Sequence, residues 1–326
     1  MVAAMAVTPD NKTTGMEPLN VEAVTWGDLT WTNVTKPTQK EMDYLAKGFP
    51  FHPLDLDDCL SRKQRPKLDE YKDYLFFIFH FSVYNRETRV STHDQVAVFI
   101  GEKYLVTVHS GQLKTLIKQF RECQIDEEAR KENLEFGSGF LLYRILDRAT
   151  DAYFPVLDKI LSLTEDVEDV VFDENVEAAQ ELATLRRDVI TQRRIMFPSR
   201  AILVALEPKL KRFTKMDISV YYGDLLDHMN QICDTLDEAK EVIEVYKDTD
   251  FILGTDRLNR VMRVLTVLGT ILLPFVVVSS IYGMNVILPG GLAGQSGSQA
   301  TFLLLMAAMA LIAAGMLLFF RRKRWF

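Results

Sequence analysis

From Val264 to Phe320 the chain carries no charged side chain, although charge is dense everywhere before that stretch. Two apolar spans fill most of it, Val264–Met284 with 21 residues and Thr301–Phe320 with 20. About 20 residues suffice to cross the hydrocarbon core of a bilayer as a helix. Buried helices of soluble proteins are seldom this long and chargeless. The link from Val286 to Ala300 holds four glycines, one proline and no charge. A short link between two full spans makes a hairpin, so both of its outer ends lie on one side of the membrane.

Basic residues mark which side that is. Arg260 and Arg263 precede the first span, and Arg321, Arg322, Lys323 and Arg324 follow the second. Positive charge stays on the cytoplasmic side, so the sequence predicts a multi-pass protein of the cell (inner) membrane with both termini in the cytoplasm. The other 258 residues hold 32 Lys and Arg against 45 Asp and Glu, a balance of −13. Binding nucleic acid needs clustered positive charge, so so acidic a body excludes that partner. An acidic surface can concentrate cations, and it can equally be plain solvation. Cys59, Cys123 and Cys233 are scattered, with no metal-ligand spacing, as befits reduced structural thiols. No phosphate-cradling glycine loop, nucleophile elbow or HExxH pattern occurs, and an enzyme is not expected.

Ahead of the hairpin the chain reads in two textures. Residues 1–18 form a polar N-terminal tail, and 19–134 an α/β domain. Thr38 and Glu41 have capping-box spacing, so a helix is expected from there. Strands are expected at Tyr74–Tyr84, Gln95–Ile100 and Tyr104–His109, with a helix starting near Leu113. From 135 to 258 apolar residues recur every three or four positions, which predicts long stalk helices with breaks near Pro198, Pro208 and Gly223. The last helix has no stop signal before the membrane. The fold class is therefore an α+β cytoplasmic domain, a mixed sheet flanked by helices, followed by stalk helices and a transmembrane hairpin. The membrane part divides into a first helix over 259–285, a loop over 286–300, a second helix over 301–320 and a basic tail over 321–326.

Two spans cannot enclose a polar path alone. The hairpin either anchors a cytoplasmic sensor or interaction domain, or joins other copies around a pore. Asn259, Met262, Thr266, Gly269, Leu273, Val276, Ser280 and Gly283 fall along one stripe of the first span. Small residues also favour helix packing, so the stripe alone leaves both roles open. Its ends say more. Asn259 and Asn285 lie about 39 Å apart along a continuous helix, and in an oligomer each would form a ring of uncharged amides. Mg2+ gives up its water reluctantly, and an amide ring can hydrogen-bond that water shell without stripping it. Leu273 and Val276 between them would form an apolar constriction able to gate by dewetting.

Tyr282-Gly283-Met284-Asn285, two spans from the end of the chain and followed by a basic tail ending in Trp325-Phe326, resembles the signature of the CorA family of divalent-cation transporters. Asn259-Arg260-Val261-Met262-Arg263 resembles the start of that family's pore helix, and Pro274 sits where its helices commonly carry a proline. His52-Pro53-Leu54, Gln64-Arg65-Pro66-Lys67, Leu185-Arg186-Arg187 and Tyr222 to Asp234 are similar to its cytoplasmic blocks. The resemblance implies a homopentameric funnel in which the first span lines the pore. Gly283, Met284 and Asn285 would then receive the hydrated ion at the outer mouth. It implies Mg2+ as both cargo and regulator, with Co2+ and Ni2+ as companions, no organic cofactor, and the lipid bilayer as the other partner. Asp224 matches its regulatory cation site, Asp248 its acidic neck ring, and Asp94 is the candidate for a further regulatory carboxylate in the N-terminal domain.

One departure matters. The link after the signature lacks the acidic residues usual in the family's magnesium transporters and is closer to its zinc-transporting branch. No His or Cys follows Cys233, so the pore offers zinc no soft ligand. Mg2+ uptake is the expectation and Zn2+ transport the alternative.

Overall fold

The computed structural model describes residues 19–61, 64–85, 90–172, 178–284 and 299–323. The expected N-terminal tail, Asn285, most of the loop after it, and Arg324 to Phe326 lie outside the described residues. The chain divides into two compact units, 1–247 and 248–326.

The first unit is built on a six-stranded sheet, β1 (Val21–Trp26), β2 (Leu29–Thr35), β3 (Lys67–Glu70), β4 (Tyr74–Asn85), β5 (Val90–Gly101) and β6 (Tyr104–His109), in the order β1-β2-β6-β5-β4-β3. Among the described strands β2 and β6 pair in parallel and the other four pairings are antiparallel. Tyr74–Phe79 of β4 and Val96–Ile100 of β5 are apolar on both faces, the pattern of strands covered on both sides. One face, with Leu75, Phe77, Phe79, Val98, Ile100 and Leu105, belongs to a large core shared with α3 (Lys114–Ile125), α5 (Ser138–Asp151), α6 (Phe154–Phe172) and α7 (Ala179–Leu210). The other, with Phe76, Ile78, Phe99, Val106 and Val108, packs on α1 (Gln39–Gly48) and α2 (Pro53–Leu60). α4 (Glu127–Leu134) caps the group between α3 and α5. The expected capping box opens α1, with Thr38 N–H donating to Glu41 Oε2 at 2.9 Å.

Trp31 sits at the centre of the larger core, fully buried, its ring edge-on to Phe120 at 4.9 Å and its Nε1–H donating to Thr107 Oγ1 at 3.1 Å. Trp31→Ala removes the packing and one hydrogen bond to that hydroxyl, which keeps its own donation to Asn33 Oδ1 at 2.8 Å. Denaturant unfolding of the full chain should lose about 3–5 kcal/mol.

Two expected helix breaks do not occur. α7 runs unbroken through Pro198 and ends at Leu210, just past Pro208, in a 3-10 turn at Lys211–Phe213. A proline inside a helix costs about 3 kcal/mol, so something must hold that turn. Next to Pro198, the Ser199 hydroxyl lies 3.1 Å from the His80 carbonyl of β4 and 2.8 Å from the Ile195 carbonyl, and Met196, Leu203 and Leu206 are buried. Tertiary packing overrides the local breaker. Likewise α8 (Ser219–Tyr282) passes through Gly223 because Tyr222, Leu225 and Met229 pin that segment into the core. As expected, α8 continues into the apolar span without interruption.

The second unit holds the rest of α8 and α9 (Gln299–Arg322). Both helices are long and apolar enough to cross a membrane, and almost none of either apolar window is buried within the single chain.

Candidate pore stripe and cation site

In the second unit each helix has one sheltered stripe. On α8 it is Val267, Ile271, Pro274 and Val278; on α9 it is Leu305, Met309, Ala313, Met316 and Phe320. These recur every three or four residues, the spacing of one helix face. At about 100° per residue, the expected pore positions centre on the opposite side of α8 from its sheltered stripe. All of those described, Asn259, Met262, Thr266, Gly269, Leu273, Val276, Ser280 and Gly283, are exposed. Leu273 is 66% and Val276 64% exposed, a large apolar area without cover in one chain. The Thr266 hydroxyl donates to the Met262 carbonyl of its own helix at 2.7 Å. That leaves the oxygen's lone pairs, not its proton, to face outward.

The helix stops at the signature. Tyr282 is its last residue, and Gly283 N–H closes back on the Ser279 carbonyl at 2.9 Å. A Cβ on Gly283 would stand 3.2 Å from that carbonyl oxygen, so the close turn favours glycine for its size. The last turn of a helix leaves carbonyls without helical partners and carries about half a negative charge. Gly283 and the exposed Met284 therefore follow directly on a cation-attracting terminus; Asn285 lies outside the described residues.

In the first unit Asp224 is not alone. It and His228 stand one turn apart on α8, facing Asp147 and Asp151, one turn apart on α5. Asp147, Asp224 and His228 bring one ligand atom each to within 4.8 Å of one another. The imidazole lies 4.0 Å from Asp224 on one side and 4.0 Å from Asp151 on the other, braced edge-on by Phe154 at 5.6 Å. Burial, then the charges of Asp151 and Asp224, hold the Asp147 carboxyl above its ordinary pKa. Two carboxylates pressed together with an open solvent side suit a hard divalent cation that keeps part of its water. Sequence reading found Asp224 but not Asp147, because nothing in the spacing says that α5 and α8 meet there.

The other two expected carboxylates are not brought to this site. Asp248 is exposed farther along α8, in the second unit. Asp94 is buried in β5, where it accepts from Ser110 Oγ at 2.7 Å.

A raised carboxyl pKa makes the pH dependence definite. Asp147 favours the fold below its ordinary pKa, and that contribution is lost as pH rises through the raised value. A cation takes the proton's place only once the proton has left. Stabilisation by Mg2+ at this candidate site should therefore weaken as pH falls into the range where Asp147 holds its proton, which melting curves with and without Mg2+ over a pH series test. Stabilisation that does not change with pH would argue against Asp147 as a ligand.

A family profile for CorA-like Mg2+ transporter proteins matches residues 26–322. The chain belongs to the CorA family. Its relatives include a metal ion transporter by name, YfjQ of Bacillus subtilis, 28% identical over 336 residues that cover 100% of this chain and 99% of the relative. The cobalt/magnesium transport protein CorA of Thermotoga maritima is 26% identical over 307 residues, 91% of this chain and 83% of its own length. A zinc transport protein, ZntB, of Yersinia pseudotuberculosis is 21% identical over 321 residues, 95% of this chain and 92% of its own. Among solved structures, the complete CorA magnesium transporter of Methanocaldococcus jannaschii superposes with a TM-score of 0.77 at 23% identity, covering 96% of this chain and 100% of that one. The CorA fold expected from sequence is thus the fold observed.

Proposed function

We propose that this chain is one subunit of a homopentameric divalent-cation channel of the cell inner membrane, with both termini cytoplasmic, moving Mg2+ inward with Co2+ and Ni2+ as lesser cargoes. The observation that carries this reading is the exposed stripe on α8 opposite its sheltered one, since a single chain leaves Leu273 and Val276 uncovered. Five copies would turn those stripes on a shared axis, with Asn259 at the inner mouth, Asn285 at the outer, and the apolar pair as gate. The membrane potential alone drives such uptake, at about 4.6 kcal/mol for two charges per 100 mV.

Asp147 and Asp224, with His228 beside them, are the cytosolic Mg2+ sensor in this proposal, and Asp248 supplies a ring of charge near the pore. When the sensor is filled, the carboxylate repulsion that adds to burial in raising the Asp147 pKa is neutralised and the closed arrangement is favoured. When it empties, that repulsion returns and loosens the closed state.

A second reading, zinc transport, is favoured by the uncharged Val286–Ala300 link and by the match to a zinc transport protein. Flux into liposomes holding the purified full-length protein separates the two. Potential-driven Mg2+ uptake insensitive to a pH gradient is the expected result. Zn2+ uptake that follows a pH gradient, with no Mg2+ movement, would overturn the assignment.

A further inference from the structure

We propose that His80 and His93 form a binding site for a borderline transition-metal cation, Zn2+, Co2+ or Ni2+, separate from the carboxylate site on α5 and α8. The antiparallel register of β4 and β5 sets His80 opposite Gln95 and Ser82 opposite His93. All four side chains project from the sheet face that carries α2, by the alternation of the strands. The two imidazoles are near-parallel, with ring centroids 4.7 Å apart.

Three polar atoms in this patch are buried without a hydrogen-bond partner: His80 Nε2, Ser82 Oγ and Gln95 Oε1. Buried polar atoms are nearly always satisfied, so three within one two-by-two patch call for an occupant. The tautomer favours a metal. The His80 ring bonds the Gln64 backbone carbonyl, and since Nε2 is the orphan, Nδ1–H is the donor. A backbone carbonyl on one imidazole nitrogen fixes the ring and leaves the other nitrogen's lone pair bare, the usual outer-shell support of a metal-bound histidine.

The support itself is anchored. Gln64 Nε2 donates to Asp58 Oδ1 at 2.6 Å, and Lys67 pairs with Asp58 at 2.6 Å, which ties the segment after α2 to the helix. Gln95 Nε2 donates to the Asp58 carbonyl at 3.3 Å, which turns its own Oε1 free. His93 is exposed and gives the ion a way in. Two imidazole nitrogens with an amide and a hydroxyl oxygen suit Zn2+, Co2+ or Ni2+, and Mg2+ poorly. A buried water could satisfy the same atoms, and the experiment separates the two.

The test is titration of purified full-length protein with ZnCl2 against a chromogenic zinc indicator, in excess Mg2+ to occupy the carboxylate site. The wild type should bind Zn2+ at this site, and His93→Ala should weaken it by at least the 10–100-fold typical of losing even an outer-shell partner. Because His93 is exposed, that variant should melt like wild type without metal; His80→Gln should show the same loss, and His228→Ala should keep the binding. Visible bands of bound Co2+ should disappear with His93→Ala. No Zn2+ binding by the wild type, or equal binding by wild type and His93→Ala, would overturn the proposal. This result is independent of whether Mg2+ is transported.

Discussion

Liposomes carrying Asn285→Ala should take up no more Mg2+ than empty liposomes, although the variant inserts and assembles normally. In the proposed pore Asn285 follows in sequence on a helix terminus whose carbonyls attract cations, and its amide would meet the ion while the ion's water shell is whole. Each hydrogen bond to that shell is worth about 0.5–1.5 kcal/mol, and five copies lose it together. The sum is about 2.5–7.5 kcal/mol, and each 1.4 kcal/mol is about tenfold, so flux should fall by about sixtyfold at the least. Asn285→Gln, which keeps the amide but moves it outward, should retain part of the flux. Unchanged uptake by Asn285→Ala would mean that the hairpin is only an anchor and that the exposed stripe on α8 packs against something other than a pore.

The second large effect belongs to Asp147, the residue of the cation site that the sequence did not disclose. Asp147→Asn removes one of the two close carboxylates and with it most of the repulsion that a divalent cation relieves. Uptake should then continue at internal Mg2+ levels that shut the wild type. Allosteric coupling of 1–3 kcal/mol sets the expected shift in the closing concentration at about 5–150-fold. Asp224→Asn should do the same, and the double variant should add little, because both act on one site. Two additive shifts would place the residues in separate sites. A normal closing concentration in Asp147→Asn would remove α5 from the sensor altogether.

How much could be read in advance depended on whether the signal was local. The spans declare themselves by missing charge, and the strand Tyr104–His109 is found with the limits expected, because β-branched residues between turn signals leave little choice. The box at Thr38 is equally local. The breaks expected near Pro198 and Gly223 failed for the opposite reason. What holds the helix at Pro198 is Ser199 on the carbonyl of His80, and what holds it at Gly223 is the burial of Tyr222, neither of which a sequence window contains. The cation site divides in the same way. Asp224 and His228 share a helix turn, but Asp147 joins them only through packing. Asp94 shows the converse, since a carboxylate offered as a regulatory cation ligand is buried in β5 and bonded to Ser110.

The one parallel pairing in the sheet has a consequence for how the protein is made. β2 leaves the ribosome early, yet its neighbour β6 is not complete until His109 has been added. Parallel, long-range pairing is slow to form, so the β1–β2 hairpin must wait with its outer edge unpaired. Both apolar spans follow the sheet in the sequence. Synthesis thus gives the sheet time to close before either span emerges, which keeps the waiting edge of the hairpin from meeting the chain's most apolar helices.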